Sequence, residues 1–160
     1  MPQLPTSLED RIQQIEDRNY IHEMTSRFAD AANRVDAPAF LDLWTQDALW
    51  QIGPPIDKQF LGHHEIESAF LGLLCNAWEF FIQMPSAHVI EIEGDEATSR
   101  SFVNEIARAK EGTANYNLAV YEDELVRVGS GWKFAKRNYK VLYLDTAPLT
   151  GTAYQRKVLT

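Results

Sequence analysis

The sequence predicts an α+β fold in which N-terminal helices pack on one side of a curved antiparallel sheet. In the first part of the chain, apolar residues recur mostly at every third or fourth position, as in amphipathic helices. From Trp78 onward, apolar and polar residues mostly alternate, which is typical of half-buried strands. Helices followed by consecutive strands form an α+β plan with an antiparallel sheet. Strands of about 12 residues must twist and curl, so the helices can fill the concave side and enclose a small-molecule pocket.

Three helices are predicted before the main run of strands. The first begins after Ser7, a good N-cap residue, and continues to about Asn33. Asp36 is expected to cap a second helix, whose first turn tolerates Pro38. Apolar residues of that helix are expected at Phe40, Leu41, Leu43 and Trp44. A third helix is predicted from about His63 to Asn76.

Five strands are predicted, the first of them a short strand at Ala48–Ile52 that is followed by a loop to Gly62. In the second strand, Ser86, His88 and Ile90 alternate with outward residues, so they are expected to share the face that points to the interior. The remaining three strands are long and separated by glycine-containing turns. They are predicted at 97–110, 116–128 and 132–144.

The length of 160 residues fits a single domain, residues 1–160. Its core is expected at about residues 8–144. The last stretch, residues 145–160, is predicted to be a tail, which would wrap over a neighbouring subunit.

The formal net charge of −8 argues against nucleic acid as a partner, because nucleic-acid binding needs a concentrated basic surface. It also disfavours docking on anionic membranes. No apolar run approaches the roughly 20 residues of a membrane span. Residues 1–7 lack the basic start and apolar run of a secretory signal, so a cytoplasmic protein is expected.

Neither a metal nor a cofactor is predicted. The lone cysteine, Cys75, cannot form an internal disulfide and removes any cysteine-based zinc site. The adjacent His63 and His64 cannot easily converge on one metal ion. Glycine-rich phosphate loops and nucleophile-elbow patterns do not occur in the sequence.

Three stretches of the chain carry a family resemblance through their order and spacing. They are RFADAANRVD at 27–36 leading into FLDLWTQDA at 40–48, then SAHVI at 86–90 with GDEA at 94–97 after it, and YEDELVR at 121–127 closing on GWKFAKR at 131–137. Together they resemble the SnoaL-like branch of the nuclear transport factor 2-like superfamily over about residues 8–144. The resemblance implies a cone-shaped barrel whose interior binds a small, largely apolar molecule.

The resemblance also suggests catalytic residues. In relatives similar to scytalone dehydratase and the dehydrochlorinases, a histidine at the position of His88 acts as general base beside an aspartate on the first helix. Here the aspartate position holds Asn33, which can hydrogen-bond but cannot carry the charge. Asp30, one turn earlier, is an alternative partner, although it lies nearly opposite the apolar stripe of the helix. Asn33 shares a second helix face with His22, and that face is either exposed or turned toward the pocket.

Further residues are expected to line the pocket. Phe28 belongs to the apolar stripe of the first helix, and Trp50 and Ile52 lie on the first strand at positions that border the pocket in relatives. Tyr116 and Asn117 match a region that supplies polar contacts, but strand neighbours alternate, so only one of them can face inward. Arg100 and Arg137, which match frequent arginines of the family, are expected at the surface or in salt bridges. Phe102, Ile106 and Tyr139 are expected on an outer sheet face that pairs copies of the chain into a homodimer or homotrimer.

Three functions are consistent with the sequence. The first is a cofactor-independent lyase or isomerase of the dehydratase or cyclase type, with His88 moving a proton on an apolar cyclic substrate. The second is a protein that binds a small molecule without changing it. The third is a structural subunit resembling the β subunit of ring-hydroxylating dioxygenases. Fold alone does not choose among them.

Overall fold

The computed structural model describes residues 7–154 of the chain. Residues 1–6, which make up most of the N-terminal segment without secretory-signal features, and residues 155–160, the end of the predicted tail, lie outside the described range. Within that range, no helix is both long and apolar enough to cross a membrane.

The three predicted helices are confirmed, and local capping sets where the first two begin. Helix α1 spans Leu8–Arg34, and its N-cap Ser7 accepts a hydrogen bond from a backbone N–H of the first turn at 3.0 Å. Helix α2 spans Ala37–Asp42, with the Asp36 side chain as its cap. Helix α3 spans Gly62–Phe70 and continues as a π-helical segment to Ala77.

Six strands form one curved sheet, which is mixed and not closed. In chain order the strands are β1 Trp44–Ile52, β2 Lys58–Leu61, β3 Trp78–Glu93, β4 Glu96–Ala109, β5 Ala114–Val128 and β6 Gly131–Asp145. Their order in the sheet is β2-β1-β6-β5-β4-β3. All neighbours are antiparallel except β1 and β6, which run parallel. The α+β fold is therefore confirmed, with one parallel pair that the sequence pattern did not reveal.

Two boundaries near the second helix differ from the sequence-based prediction. Leu43 and Trp44 do not belong to α2, because the backbone of Leu43 accepts a hydrogen bond from the Phe134 N–H at 2.9 Å and β1 begins at the next residue. Pairing with β6 thus overrides an apolar spacing that fits a helix. The predicted loop before Gly62 contains β2, which folds back antiparallel on the end of β1.

A bulge in β3 decides which of its residues face the helices. Ala87 adopts a positive φ of 44°, and it is the extra residue between Ser86, which pairs with Phe102, and His88, which pairs with Ser101. His88 faces inward as expected, but Ser86 is exposed on the other side. The expectation that Ser86 shares the face of His88 is wrong because the bulge reverses the alternation.

Aromatic rings fill the space between the helices and the sheet. The Phe28 ring of α1 lies 4.8 Å from the ring of Phe40, 6.0 Å from that of Trp44 and 6.3 Å from that of Phe134. These side chains come from α1, α2, β1 and β6, and all of them are buried. Burial of this much apolar surface is what holds the helical layer on the concave face.

Helix α1 also covers the free edge of β3, the last strand of the sheet. Arg18 donates a hydrogen bond to the Ile90 carbonyl at 2.8 Å, and further along the helix His22 contacts His88. Asn33 binds the same strand near its middle. The face of α1 that carries His22 and Asn33 therefore lies along the edge of β3, where it protects an unpaired strand.

Candidate functional site

One cavity opens into the interior between the helices and the concave face of the sheet. Its volume is about 110 Å³, and its wall is mostly aromatic and aliphatic. The lining residues are Phe28, Ala32, Phe40, Trp50, Ile52, Ile56, Lys58, Leu73, Leu74, Trp78, Phe81, Gln83, Glu105, Tyr121 and Tyr139. Ile56 and Lys58 are exposed, which places the mouth at their side. An apolar cavity with a few polar groups is typical of a small-molecule site.

Glu105 is the acidic group in the wall of this cavity. Its side chain is 8% exposed, and its two oxygens accept hydrogen bonds from Gln83 Nε2 at 2.6 Å and from Asn117 Nδ2 at 2.9 Å. Burial raises the pKa of this carboxyl, while hydrogen bonds from Gln83, Asn117 and Tyr139 partly oppose the shift. A carboxyl with a raised pKa in a cavity is a candidate for proton transfer.

Two tyrosines stand beside this carboxyl. The Tyr121 hydroxyl accepts a hydrogen bond from Gln83 Nε2 at 3.1 Å, and the Tyr139 hydroxyl accepts one from Asn117 Nδ2 at 3.2 Å. Burial raises the pKa of both phenols above the ordinary range. Both hydroxyls therefore keep their protons and can act as hydrogen-bond donors inside the cavity.

Glu105 is not among the site residues predicted from the sequence, although strand alternation contained a signal for it. The inward residues of β4 are Ala97, Ser99, Ser101, Val103, Glu105, Ala107 and Ala109. A single charged residue in such a series of small and apolar inward positions is costly to bury unless it is hydrogen-bonded or functional. The same alternation in the strand predicted at 97–110 would have selected Glu105.

His88 lies on the same concave face but is not among the residues that line the cavity. Its Nδ1 is 3.1 Å from the Nδ1 of His22, and its Nε2 is buried without a hydrogen-bond partner in residues 7–154. Burial lowers the pKa of His88 to about 4, and the nearby His22 and Arg137 add to this shift. The ring is therefore neutral at neutral pH.

The two residues proposed as partners of His88 bind elsewhere. Asn33 donates to the Gln83 carbonyl at 2.9 Å and accepts from the Gln83 N–H at 2.8 Å. Asp30 pairs with Arg34 at 3.0 Å, and its side chain is 61% exposed. In the described part of the chain, neither side chain forms a hydrogen bond with His88, so the structure does not bring this trio together.

The residues proposed to bind a ligand fall into two groups. Phe28, Trp50 and Ile52 line the cavity. Of the adjacent pair, Asn117 faces inward and binds Glu105, whereas Tyr116 lies on the other face and donates to Asn104 at 3.1 Å. The structure thus resolves an alternative that the sequence left open.

Arg137 and Tyr139 are buried in the interior. Arg137 is 0% exposed and pairs with Asp123 at 3.2 Å, which agrees with a salt bridge and excludes a surface position. Its guanidinium also stacks over the rings of Phe28 and Tyr121 at 4.1 and 3.9 Å. The expectation that Tyr139 belongs to an outer face is wrong, because its ring lies in the cavity wall.

The outer sheet face carries the other two residues expected in an interface between copies of the chain. Phe102 is exposed there and Ile106 is half-buried. Near them, Arg108 donates hydrogen bonds to the carbonyls of Leu149 and Gly151, so this part of the tail lies on its own domain.

Among residues 7–154, no three histidine, cysteine or acidic side chains are grouped as a metal site.

Comparison with solved structures finds the same fold in proteins of low sequence identity. A proposed aromatic ring hydroxylase from Novosphingobium aromaticivorans is 26% identical, with a TM-score of 0.77 over 89% of this chain and 95% of that chain. A hexachlorocyclohexane dehydrochlorinase is 21% identical, with a TM-score of 0.79 over 89% of this chain and 95% of that one. A proposed scytalone dehydratase from N. aromaticivorans is 19% identical, with a TM-score of 0.77 over 89% and 99% of the two chains.

Comparison with curated proteins finds no significant match. A family model, by contrast, matches residues 13–138, which is most of the sequence, and it describes a SnoaL-like domain. The structural neighbours agree with this match, since they share the cone fold of the nuclear transport factor 2-like superfamily. The chain therefore belongs to the SnoaL-like domain family.

Proposed function

We propose that this protein is a lyase or isomerase of the dehydratase type that acts on a small, apolar cyclic molecule, with Glu105 as the general acid–base. One observation carries the proposal. The carboxyl of Glu105 lies in the wall of an apolar cavity, where burial raises its pKa. A raised pKa brings a carboxyl closer to the value that is best for proton transfer near neutral pH.

The cavity supplies the groups that an elimination of water needs. The Glu105 carboxylate would take a proton from a carbon next to a carbonyl, and the electron pair of that C–H bond would form the new C=C bond. The C–O bond of a hydroxyl on the next carbon breaks, and this hydroxyl leaves as water with a proton returned from Glu105. The Tyr121 hydroxyl would donate a hydrogen bond to the carbonyl oxygen, where negative charge develops, while the Tyr139 hydroxyl donates to Glu105.

The size of the cavity supports a compact substrate. The space of about 110 Å³ is smaller than the cavity of about 150 Å³ that takes up benzene, so it limits the enclosed part of a ligand to a single ring, with substituents extending through the mouth. The names of two structural neighbours, a dehydrochlorinase and a proposed dehydratase, describe eliminations. They support the reaction class for this chain, and the choice of Glu105 depends on its own cavity.

His88 is the competing base, with Asn33 or Asp30 as its partner. Its neutral ring suits a base, but Asn33 and Asp30 are engaged with other groups. A role for His88 would require that the ring reach the cavity wall. Separate variants of Glu105 and His88 distinguish the two proposals.

The test uses small monocyclic β-hydroxy ketones such as 3-hydroxycyclohexanone and follows the ultraviolet absorbance of the enone product. In Glu105→Gln, we expect turnover to fall by about 10²–10⁴-fold, the usual contribution of a general acid–base. His88→Gln and the control Glu91→Gln, which removes an exposed carboxyl of β3, should stay close to the unsubstituted protein. A large loss in His88→Gln with none in Glu105→Gln would transfer the role to His88.

Two non-catalytic functions are the other outcomes. If the protein binds members of this panel and converts none of them, a ligand-binding function replaces the lyase. The 26% identity to a proposed aromatic ring hydroxylase favours a further candidate, a subunit of a ring-hydroxylating enzyme. Copurification of the tagged protein with an iron–sulfur subunit from its own host would support that candidate.

A further inference from the structure

We infer that Gln83 is a specificity-determining residue of the cavity, which selects ligands carrying an O–H or N–H donor, and that Asn33 is the residue that positions it. The inference rests on the proposed use of the cavity as the ligand site. It concerns which ligands bind, whereas the role of Glu105 concerns the reaction.

Asn33 holds the backbone of Gln83 at the free edge of the sheet. Strand β3 is the last strand, so the outward N–H and C=O of Gln83 have no neighbouring strand to pair with. The Asn33 amide satisfies both groups, at 2.8 Å and 2.9 Å, in the manner of a strand neighbour. This pair of hydrogen bonds is a clamp between α1 and β3. It fixes β3 against α1 at the point where the Gln83 side chain enters the cavity wall.

The clamp explains why an asparagine suits this position. Its side chain offers one acceptor and two donors, which match one N–H and one C=O of the backbone. An aspartate would still accept from the Gln83 N–H, but its second oxygen would face the Gln83 carbonyl without a proton between them. That arrangement loses one hydrogen bond and adds repulsion between two oxygens.

The hydrogen bonds of the Gln83 side chain fix which atom remains free. Its Nε2 donates both to Glu105 Oε2, at 2.6 Å, and to the Tyr121 hydroxyl, at 3.1 Å. Turning the amide around would place Oε1 against the acidic oxygen of Glu105, which is unfavourable whenever that group is ionised. With Nε2 bound to these two acceptors, the amide oxygen is the atom left without a partner in the described residues.

This oxygen is a buried acceptor that has no partner among residues 7–154. Gln83 is 6% exposed and lines the cavity, and its Oε1 makes no hydrogen bond there. A buried polar group without a partner is unfavourable, so a ligand that supplies a donor gains more than one that does not. Sites built around such a group discriminate strongly against analogues that lack the donor.

The test compares phenol with toluene, which have nearly the same shape and differ in the donor. Binding of each is measured by calorimetry, and the quantity of interest is the ratio of phenol affinity to toluene affinity. In Gln83→Met, which keeps the length of the side chain and removes the amide, this ratio should fall about tenfold, the equivalent of one hydrogen bond. An unchanged ratio, or no binding of either compound to the unsubstituted protein, overturns the inference.

Asn33→Asp tests the positioning role, with Asn19→Asp on the exposed side of the same helix as the matched control. We expect the ratio to fall in Asn33→Asp while toluene affinity stays unchanged, and neither to change in Asn19→Asp. An equal loss of both affinities would mean that Asn33 only supports the fold, and it would remove Asn33 from the inference.

Glu105→Gln separates this inference from the proposed reaction. If the ratio collapses in Glu105→Gln and survives in Gln83→Met, the carboxyl is the acceptor and Gln83 does not set specificity. If Gln83→Met lowers the ratio while Glu105→Gln leaves hydroxy ketone turnover unchanged, the specificity role stands and the proposed reaction fails.

Discussion

The Nδ1 atoms of His22 and His88 lie 3.1 Å apart, and their rings stack with centroids 5.2 Å apart. The pair joins α1 to β3, close to the bulge that turns His88 inward. Two imidazole nitrogens at this distance share one hydrogen, so one ring donates and the other accepts. Protonation of both Nδ1 atoms would place two N–H groups against each other.

Acid should weaken the fold through His88. Its pKa is lowered from 6.5 to about 4 in the folded protein, so the unfolded chain binds this proton more tightly. The free energy of unfolding should therefore fall as the pH drops from about 6.5 to about 4. In His88→Gln, urea unfolding at several pH values should show a weaker dependence in this window. His64→Gln, at an exposed histidine, should keep the original dependence, and an identical slope in His88→Gln would contradict the prediction.

Glu105 should have the opposite influence on the pH dependence of stability. Its pKa is raised above the ordinary 4.5, so its contribution to stability is fully present below 4.5 and is lost as the pH rises through the folded value. Relative to the unsubstituted protein, Glu105→Gln should thus gain stability as the pH rises from 4.5. Unfolding by urea over this range provides the measurement, with Glu91→Gln as the control. A stability difference that does not change with pH would show that Glu105 ionises as an ordinary carboxyl.

The pair formed by Arg137 and Asp123 should be strongly coupled in stability. Both side chains are fully buried, and Asp123 also accepts a hydrogen bond from Ser99 at 3.0 Å. Removing one charge leaves the other buried without compensation, so Arg137→Met or Asp123→Asn should each cost about 3–5 kcal/mol of unfolding free energy. The double variant should cost clearly less than the sum of the two. Additive costs in urea unfolding would mean that the charges do not depend on each other.

Filling the cavity should block ligand binding without harming the fold. Ala32 lines the cavity, and Ala32→Leu would place a larger side chain in a space of about 110 Å³. Toluene affinity measured by calorimetry should fall sharply, since the two occupy the same volume. Ala39→Leu, on the exposed side of α2, should bind toluene as before. Unchanged binding in Ala32→Leu would place the ligand elsewhere.

Local chemistry in the sequence determined the three helices, the long strands and part of the cavity wall. Ser7 and Asp36 satisfy free N–H groups at the starts of α1 and α2, so both starts were readable from residue type alone. Alternation placed His88 on the inward face, the apolar stripe of α1 contained Phe28, and the family resemblance placed Trp50 and Ile52 at the border of the pocket. These features depend on neighbours within a few residues or on a motif, which is why one sequence suffices for them.

Only the tertiary structure decided how the polar groups combine. The bulge at Ala87 brings Gln83 and His88 to one face, although they are an odd number of residues apart. Strand register then sets Gln83 beside Glu105, 22 residues away, and the docking of α1 sets it beside Asn33, 50 residues away. The parallel pairing of β1 with β6 brings Trp50 and Tyr139 into the wall of the same cavity.

The physical reason for this division is the range of the interactions. Periodicity shows which side chains of a segment are buried away from water, and capping satisfies the free backbone groups at its ends. Both depend on residues that are close together in the sequence. Register, bulges and helix docking depend on the energy of the whole sheet with its helices. They cannot be predicted from any short stretch of sequence. The sequence therefore determined a helix-covered sheet with an apolar interior, and the tertiary structure decided that Glu105 and Gln83, and not His88 with Asn33, face the cavity.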